Sequence, residues 1–140
     1  MRYYAKITEQ IDNGYLVEFP DLPGCLTEGS TIKKAIKNAK EALNGWLTAN
    51  CDRDLNIPLA KIRKGKFIYS IPVNLSVAFA IRLRQFRRKK CYTQMQVAKK
   101  LEISQQAYAK LELPLKSNPS LKTIQNIGQK LGIEIELVLL

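Results

Sequence analysis

Two helix-start signals in close succession, Thr93 and Ser104, constrain this chain more than any other feature. A threonine or serine hydroxyl accepts a hydrogen bond from the N–H groups that open a helix and have no partner within it. Each is followed by about two turns of helical sequence, Gln94–Leu101 and Gln105–Leu111. Between them Leu101 and Ile103 are apolar, and Ala98 is small enough for the second helix to cross the first closely. Two short helices around a tight turn make a helix-turn-helix, whose second helix enters the DNA major groove with its N-terminal side chains leading.

The charge falls where that geometry needs it. The chain carries a net +11, but residues 1–74 hold 11 Lys/Arg against 8 Asp/Glu, while residues 75–140 hold 12 against 4. Arg82, Arg84, Arg87, Arg88, Lys89 and Lys90 crowd the helix just before the motif. A polyanion suits such a patch, because neutralising phosphates releases condensed counterions.

Composition excludes several classes. A hydrophobic fraction of 46% supports a real core rather than a disordered basic tail. Nothing near the N-terminus resembles a signal peptide, Met1-Arg2-Tyr3-Tyr4 running directly into a strand-like pattern, and no apolar run is long enough to span a bilayer, so a cytoplasmic protein with no membrane partner is expected. Cys25, Cys51 and Cys91 are odd in number and unclustered, which reads as reduced, buried thiols. The chain has no histidine, which removes the commonest general base and metal ligand. No enzyme activity, metal or cofactor is expected.

The expected fold class is α+β. Strands are predicted at Tyr3–Glu9, Tyr15–Phe19, Cys25–Glu28 and Lys66–Val73, with Asn13-Gly14 turning the first hairpin. Ser30 and Thr31 open a helix with an apolar stripe of Ile32, Ala35, Ile36, Ala39, Leu43, Trp46 and Leu47. Lys33, Lys34, Lys37, Lys40 and Glu41 form its solvated side. Residues 51–65 are loop-like, and a boundary near Pro72–Leu75 divides an N-terminal domain, 1–74, from a C-terminal domain, 75–140. The latter is predicted as helices Val77–Lys89, Gln94–Leu101, Gln105–Leu111 and Leu121–Leu131, capped by Ser120 and ended by Gly132. A short strand at Glu134–Leu140 follows. Ile135, Leu137 and Leu139 are its dimerisation candidates, since a lone strand is marginal and pairing with its copy closes a two-fold dimer. A homodimer is expected, with higher oligomers left open.

Two family resemblances emerge from these residues. Residues 92–132 resemble the Cro/repressor helix-turn-helix family through Tyr92-Thr93-Gln94, Val97-Ala98, Leu101, Ile103-Ser104-Gln105-Gln106, Leu111-Glu112, Pro119–Ile124 and Lys130–Ile133. Glu102 stands where that family's turn has glycine, and Gly128 where it has alanine. The N-terminal half resembles the HicB antitoxin family through Gly14-Tyr15, Phe19–Cys25, Thr27–Thr31, the helix ending in Glu41-Ala42-Leu43, and Ile71-Pro72-Val73. The resemblance implies a partial ribonuclease-H-like sheet with one packed helix. It further implies an antitoxin that neutralises a small mRNA-cleaving (HicA-like) toxin and represses its own operon. A nuclease is not expected, because Glu9, Asp12, Glu18, Asp21, Glu28 and Glu41 are scattered over different elements and faces. An alternative keeps the repressor half and makes the N-terminal domain a ligand-sensing or oligomerisation module.

Roles follow for named residues. Gln105 and Gln106 are expected to read bases, since a glutamine amide pairs bidentately with adenine. Lys110, a turn beyond Gln106, is placed for guanine or a phosphate. Gln94, Ser104, Arg84, Arg87, Arg88, Lys89 and Lys90 are expected on the backbone of operator double-stranded DNA. Tyr108 and Leu111 read as core. The toxin-binding candidates are Tyr15, Glu18, Phe19, Asp21 and Leu22, chosen as exposed apolar and acidic residues around the Phe19–Gly24 turn.

Overall fold

Alternation of side chains decides the first sheet. In β1 (Arg2–Glu9) Tyr3, Ala5 and Ile7 are buried while Arg2, Lys6 and Glu9 are exposed, the period of a half-buried strand. The computed structural model describes every residue, Met1–Leu140, and divides the chain into two compact units, Met1–Ala78 and Phe79–Leu140.

In the first unit β1 pairs antiparallel with β2 (Tyr15–Glu18), with Lys6 opposite Glu18 and Thr8 opposite Leu16. The turn between them differs from a two-residue Asn-Gly hairpin. Gln10 N–H bonds Gly14 O (2.7 Å), Asn13 N–H bonds Gln10 O (3.2 Å), and Asn13 alone takes the left-handed conformation, φ 64°. That is a three-residue loop ending in a left-handed residue, a role asparagine tolerates. β3 (Leu26–Gly29) starts one residue later than expected, after a turn closed by Leu22 N–H to Phe19 O and Cys25 N–H to Leu22 O (both 3.0 Å). β4 (Ile68–Pro72) completes the order β3-β2-β1-β4. It is shorter than Lys66–Val73, because Lys66 and Phe67 lie in a turn closed by Ile68 N–H to Gly65 O (3.2 Å), although Phe67 O still accepts from Ile7 N–H on β1 (2.9 Å).

Both edges are blunted against pairing with other chains. Pro72 lies on edge strand β4, where its missing N–H costs no ladder bond. On the other edge, Asn38 Nδ2 occupies Glu28 O at 2.8 Å.

Helix α1 (Ile32–Asp52) starts at Thr31, whose hydroxyl accepts from Lys34 N–H at 3.1 Å. Ala35, Ala39, Leu43, Leu47 and Cys51 recur every fourth position and are buried against the sheet. A side chain at Gly29 would collide with the Ala35 backbone, so the chain can enter the helix this closely only through glycine. Asn44 lies on the buried stripe too, its amide bonded to Lys40 O and its Oδ1 accepting from Asn74 N–H (2.8 and 2.9 Å).

After α1 the chain has no regular structure until β4, yet it is tied down. Tyr3 Oη donates to Pro58 O (2.6 Å), Ile57 is buried, and Asp21 accepts from Lys61 N–H (2.9 Å) and Arg63 Nη2 (2.8 Å).

Helix α2 (Leu75–Lys89), whose residues up to Ala78 fall in the first unit and the rest in the second, begins two residues before the expected Val77. Helices α3 (Gln94–Leu101), α4 (Gln105–Leu111) and α5 (Leu121–Leu131) have the predicted bounds. Leu83, Val97, Ala98, Leu101, Tyr108 and Ile127 form the core, flanked by Phe79, Tyr92, Leu111, Leu131 and Ile133. Gly132 ends α5 in the left-handed conformation, φ 65°. The strand expected at Glu134–Leu140 is not formed: in the single chain these residues have no regular structure, because no neighbouring strand is there to receive their backbone bonds. Cys25 and Cys51 are free and buried, whereas Cys91 is exposed, contrary to expectation, because it sits at the left-handed turn after α2 (φ 57°).

Candidate nucleic-acid interface

The candidate interface is built from two caps and one strained turn. Thr93 and Gln96 form a reciprocal capping box, Gln96 N–H to Thr93 Oγ1 at 3.1 Å and Thr93 N–H to Gln96 Oε1 at 2.8 Å. The Thr-x-x-Gln spacing carried that signal. Glu102 ends α3 with φ 59° and ψ 39°, the left-handed conformation that glycine adopts freely. Its carboxylate pairs with Lys130 Nζ at 2.9 Å, which draws the Glu102 carboxyl below the usual range. Ile103 N–H then returns to Ala98 O (3.0 Å), and Ser104 Oγ accepts from Ala107 N–H (3.1 Å) to start α4.

The buried side of α4 is Tyr108, wholly enclosed. Gln106 and Lys110, four positions apart, lie on the opposite side, and both are exposed together with Gln105 and Ser104. The amides and the ammonium therefore share one open helix face, and Ser104 uses its hydroxyl for the cap while staying accessible. Gln94 is half-buried at the start of α3. Lys89 and Lys90 are exposed and Arg88 is half-buried.

Two of the expected backbone contacts are corrected. Arg87 is a half-buried clamp: its Nε and Nη2 hold both Glu112 oxygens at 2.7 and 2.9 Å, and Nη1 donates to Tyr92 O at 2.9 Å. The Glu112 side chain is 2% exposed, and its hydrogen bonds raise the Arg87 pKa further. Arg84 is 5% exposed and equally unavailable to a phosphate. A run of basic residues reads as one patch in sequence, but a helix turns 100° per residue and sends Arg84 and Arg87 inward. The lone acid closing α4, Glu112, was the missed signal for the clamp. The clamp ties the end of α4 to the last turn of α2 and to Tyr92, the residue before the cap of α3. Burial, and then the neighbouring Glu112 carboxylate, push the Tyr108 phenol far above its ordinary pKa, so it stays neutral.

The expected toxin-binding set is corrected as well. Phe19 and Leu22 are 3% and 1% exposed and belong to the core. Asp21 is occupied by Arg63 and Lys61; burial acts to raise its pKa, but those hydrogen bonds outweigh it and the net shift is downward. Tyr15 and Glu18 remain half-exposed. Glu18 stands on the sheet face opposite the buried Tyr3, Ala5, Ile7 and Val17, in a cross-strand row with Lys6, Leu26 and Ile68. Leu16 and Glu28, paired with each other, occupy the next row. The period-two pattern contained this open face, hidden behind the more conspicuous Pro-Asp-Leu-Pro-Gly turn.

No group of three or more Cys, Asp or Glu side chains is placed to hold a metal ion, and no helix is long and apolar enough to cross a membrane.

The family described as "HicB_like antitoxin of bacterial toxin-antitoxin system" matches residues 3–66, and the helix-turn-helix family matches residues 83–138. The chain is 30% identical to Antitoxin HicB of Escherichia coli K12 over 139 residues, 99% of each chain. It is 26% identical to Antitoxin HicB 1 of Photorhabdus laumondii over 98% of this chain and 86% of that one. The crystal structure of the N-terminal domain of Burkholderia pseudomallei HicB is similar over 54% of this chain and all of its own, at 24% identity and a TM-score of 0.47.

Proposed function

Because this chain belongs to the HicB antitoxin family of non-enzymatic regulators, we propose that it neutralises a small mRNA-cleaving, HicA-like toxin and represses its own operon by sequence-specific DNA binding. The observation that carries the proposal is the match to an antitoxin across 99% of both chains, through both compact units. Unit Phe79–Leu140 is the operator reader. Gln105, Gln106 and Lys110 contact bases, while Gln94, Ser104, Arg88, Lys89 and Lys90 hold the phosphates; the exposure of Ser104, Gln105, Gln106 and Lys110 along α4 and its cap, and of Lys89 and Lys90, supports this. Unit Met1–Ala78 is the toxin binder. The open sheet face around Glu18, with Leu16, Leu26 and Glu28, offers carboxylates between apolar side chains, which suits a basic, RNA-gripping partner. The protein acts in the cytoplasm, where operator and mRNA are found.

The test is co-expression with the small open reading frame beside its gene. That frame alone should arrest growth and degrade bulk mRNA, and the full-length chain should reverse both. A chain carrying Glu18→Arg and Leu26→Arg should fail to reverse them yet still shift operator DNA in a gel. A harmless neighbour that does not associate with the purified protein would overturn the antitoxin half, leaving a repressor with a different N-terminal ligand.

A further inference from the structure

Helix α1 of the first unit sets its charge against electrostatic preference. Lys33 and Lys34 stand in its first turn, where the helix dipole favours anions, and no acidic residue accompanies them there. Lys37 and Lys40 follow at spacings of three and four positions, at which like charges are neighbours and repel. All four are exposed, and no carboxylate pairs with any of their ammoniums. Residues 1–74 hold 11 Lys/Arg against 8 Asp/Glu, so these four lysines alone outweigh the excess of three. The two sides of the unit therefore differ in sign. α1 buries Ala35, Ala39 and Leu43 toward the sheet face of Tyr3, Ala5, Ile7 and Val17, so its lysines look away from the sheet. The other sheet face carries Glu18 and Glu28 among Leu16 and Leu26. A basic partner on that open face leaves the lysines free.

We propose that the face of Lys33, Lys34, Lys37 and Lys40 binds the phosphate backbone of duplex DNA flanking the site that α4 reads. The proposal rests on the repressor half of the proposed function, which brings the duplex to the chain. A lysine ammonium is a point charge that neutralises a phosphate without reading a base, and each contact releases counterions. From Lys33 to Lys40 the helix rises about 10 Å, while phosphates of one strand succeed each other about every 3.4 Å along the duplex. The row thus spans several phosphates. Single-stranded RNA is the poorer fit, because its binding uses aromatic side chains for base stacking, and residues 31–45 contain none. Covalent attachment to α4 also holds the row at a high effective concentration near the flanking duplex.

Gel shifts of the full chain test this on the DNA upstream of its gene, using one duplex trimmed to the operator and one with long flanks. Lys33→Gln, Lys37→Gln and Lys40→Gln together should lower the slope of log affinity against log salt by about three on the long duplex. They should leave affinity and slope unchanged on the trimmed one, which also shows that the chain still folds. Arginine at the same three positions returns the charge and should restore the slope. An unchanged slope on the long duplex overturns the proposal, as does an equal fall on both duplexes or a loss confined to single-stranded RNA. If these lysines set the slope on a long random duplex but the chain shows no operator preference, the repressor reading fails and the lysine site stands. If the native chain binds no duplex at all, both fail.

Discussion

Gln106 and Tyr108 stand two positions apart on α4 and face opposite ways, one into solvent and one into the core. Helical periodicity forces that division, so their consequences differ. Gln106→Ala should weaken cognate operator binding by about 10- to 100-fold, the value of a bidentate base contact, and leave random-sequence binding unchanged in competition gel shifts. Equal loss on both DNAs removes Gln106 from base reading. Arg87 instead partners a buried carboxylate. Arg87→Met takes the guanidinium from the buried Glu112 carboxylate and should cost about 3–5 kcal/mol in urea unfolding. A loss typical of surface substitutions would mean that the clamp does not hold the fold.

Within elements, the strain lies at ends. Glu102 occupies a left-handed position that costs a side-chain-bearing residue about 1–2 kcal/mol. Its ion pair with Lys130 is solvent-exposed and offsets little of this. Glu102→Gly should therefore raise Tm by several degrees in thermal unfolding, the shift expected of about 1 kcal/mol in a small domain. Gly128 is the opposite case. Alanine there gains about 1 kcal/mol of helix propensity, but its Cβ would press on Ile133 O and Ile135. Gly128→Ala should accordingly leave Tm unchanged or lower it in thermal unfolding, although it favours α5 itself. A raised Tm would show that the tail after α5 can shift to accept the methyl.

For the molecule as a whole, two conditions separate the units. Lys89→Ala with Lys90→Ala should reduce the slope of log affinity against log salt by about two, since each phosphate contact contributes roughly one. Gln106→Ala should leave that slope alone. Acid acts on the first unit. Asp21 has a lowered pKa in the folded state, so its contribution is fully present above the unfolded value of 3.8 and is lost as pH falls through that value to the folded one. Trp46 is the single tryptophan, and its Nε1 donates to Pro23 O (3.1 Å) beside the Asp21 turn, so its fluorescence reports the loss. Asp21→Asn should be less stable at pH 7, and the difference from the native chain should shrink as pH falls below the unfolded value of 3.8.

Local chemistry written in the chain determined its elements. Hydroxyl caps at Thr31, Thr93, Ser104 and Ser120 set four helix starts, Gly132 set one helix end, and alternation along β1 chose its buried face. These depend on neighbours a few positions apart, so they are legible without the fold. The direction of each arginine in the basic run, the occupation of Asp21 by a strap some forty residues away, and the burial of Phe19 and Leu22 depend on contacts distant in sequence. No local pattern encodes which side of a helix finds a carboxylate beneath it, or which turn becomes core. The segment 134–140 belongs with these. Its strand pattern is local, but strand formation needs the backbone of a neighbouring strand, and none lies beside it in the single chain.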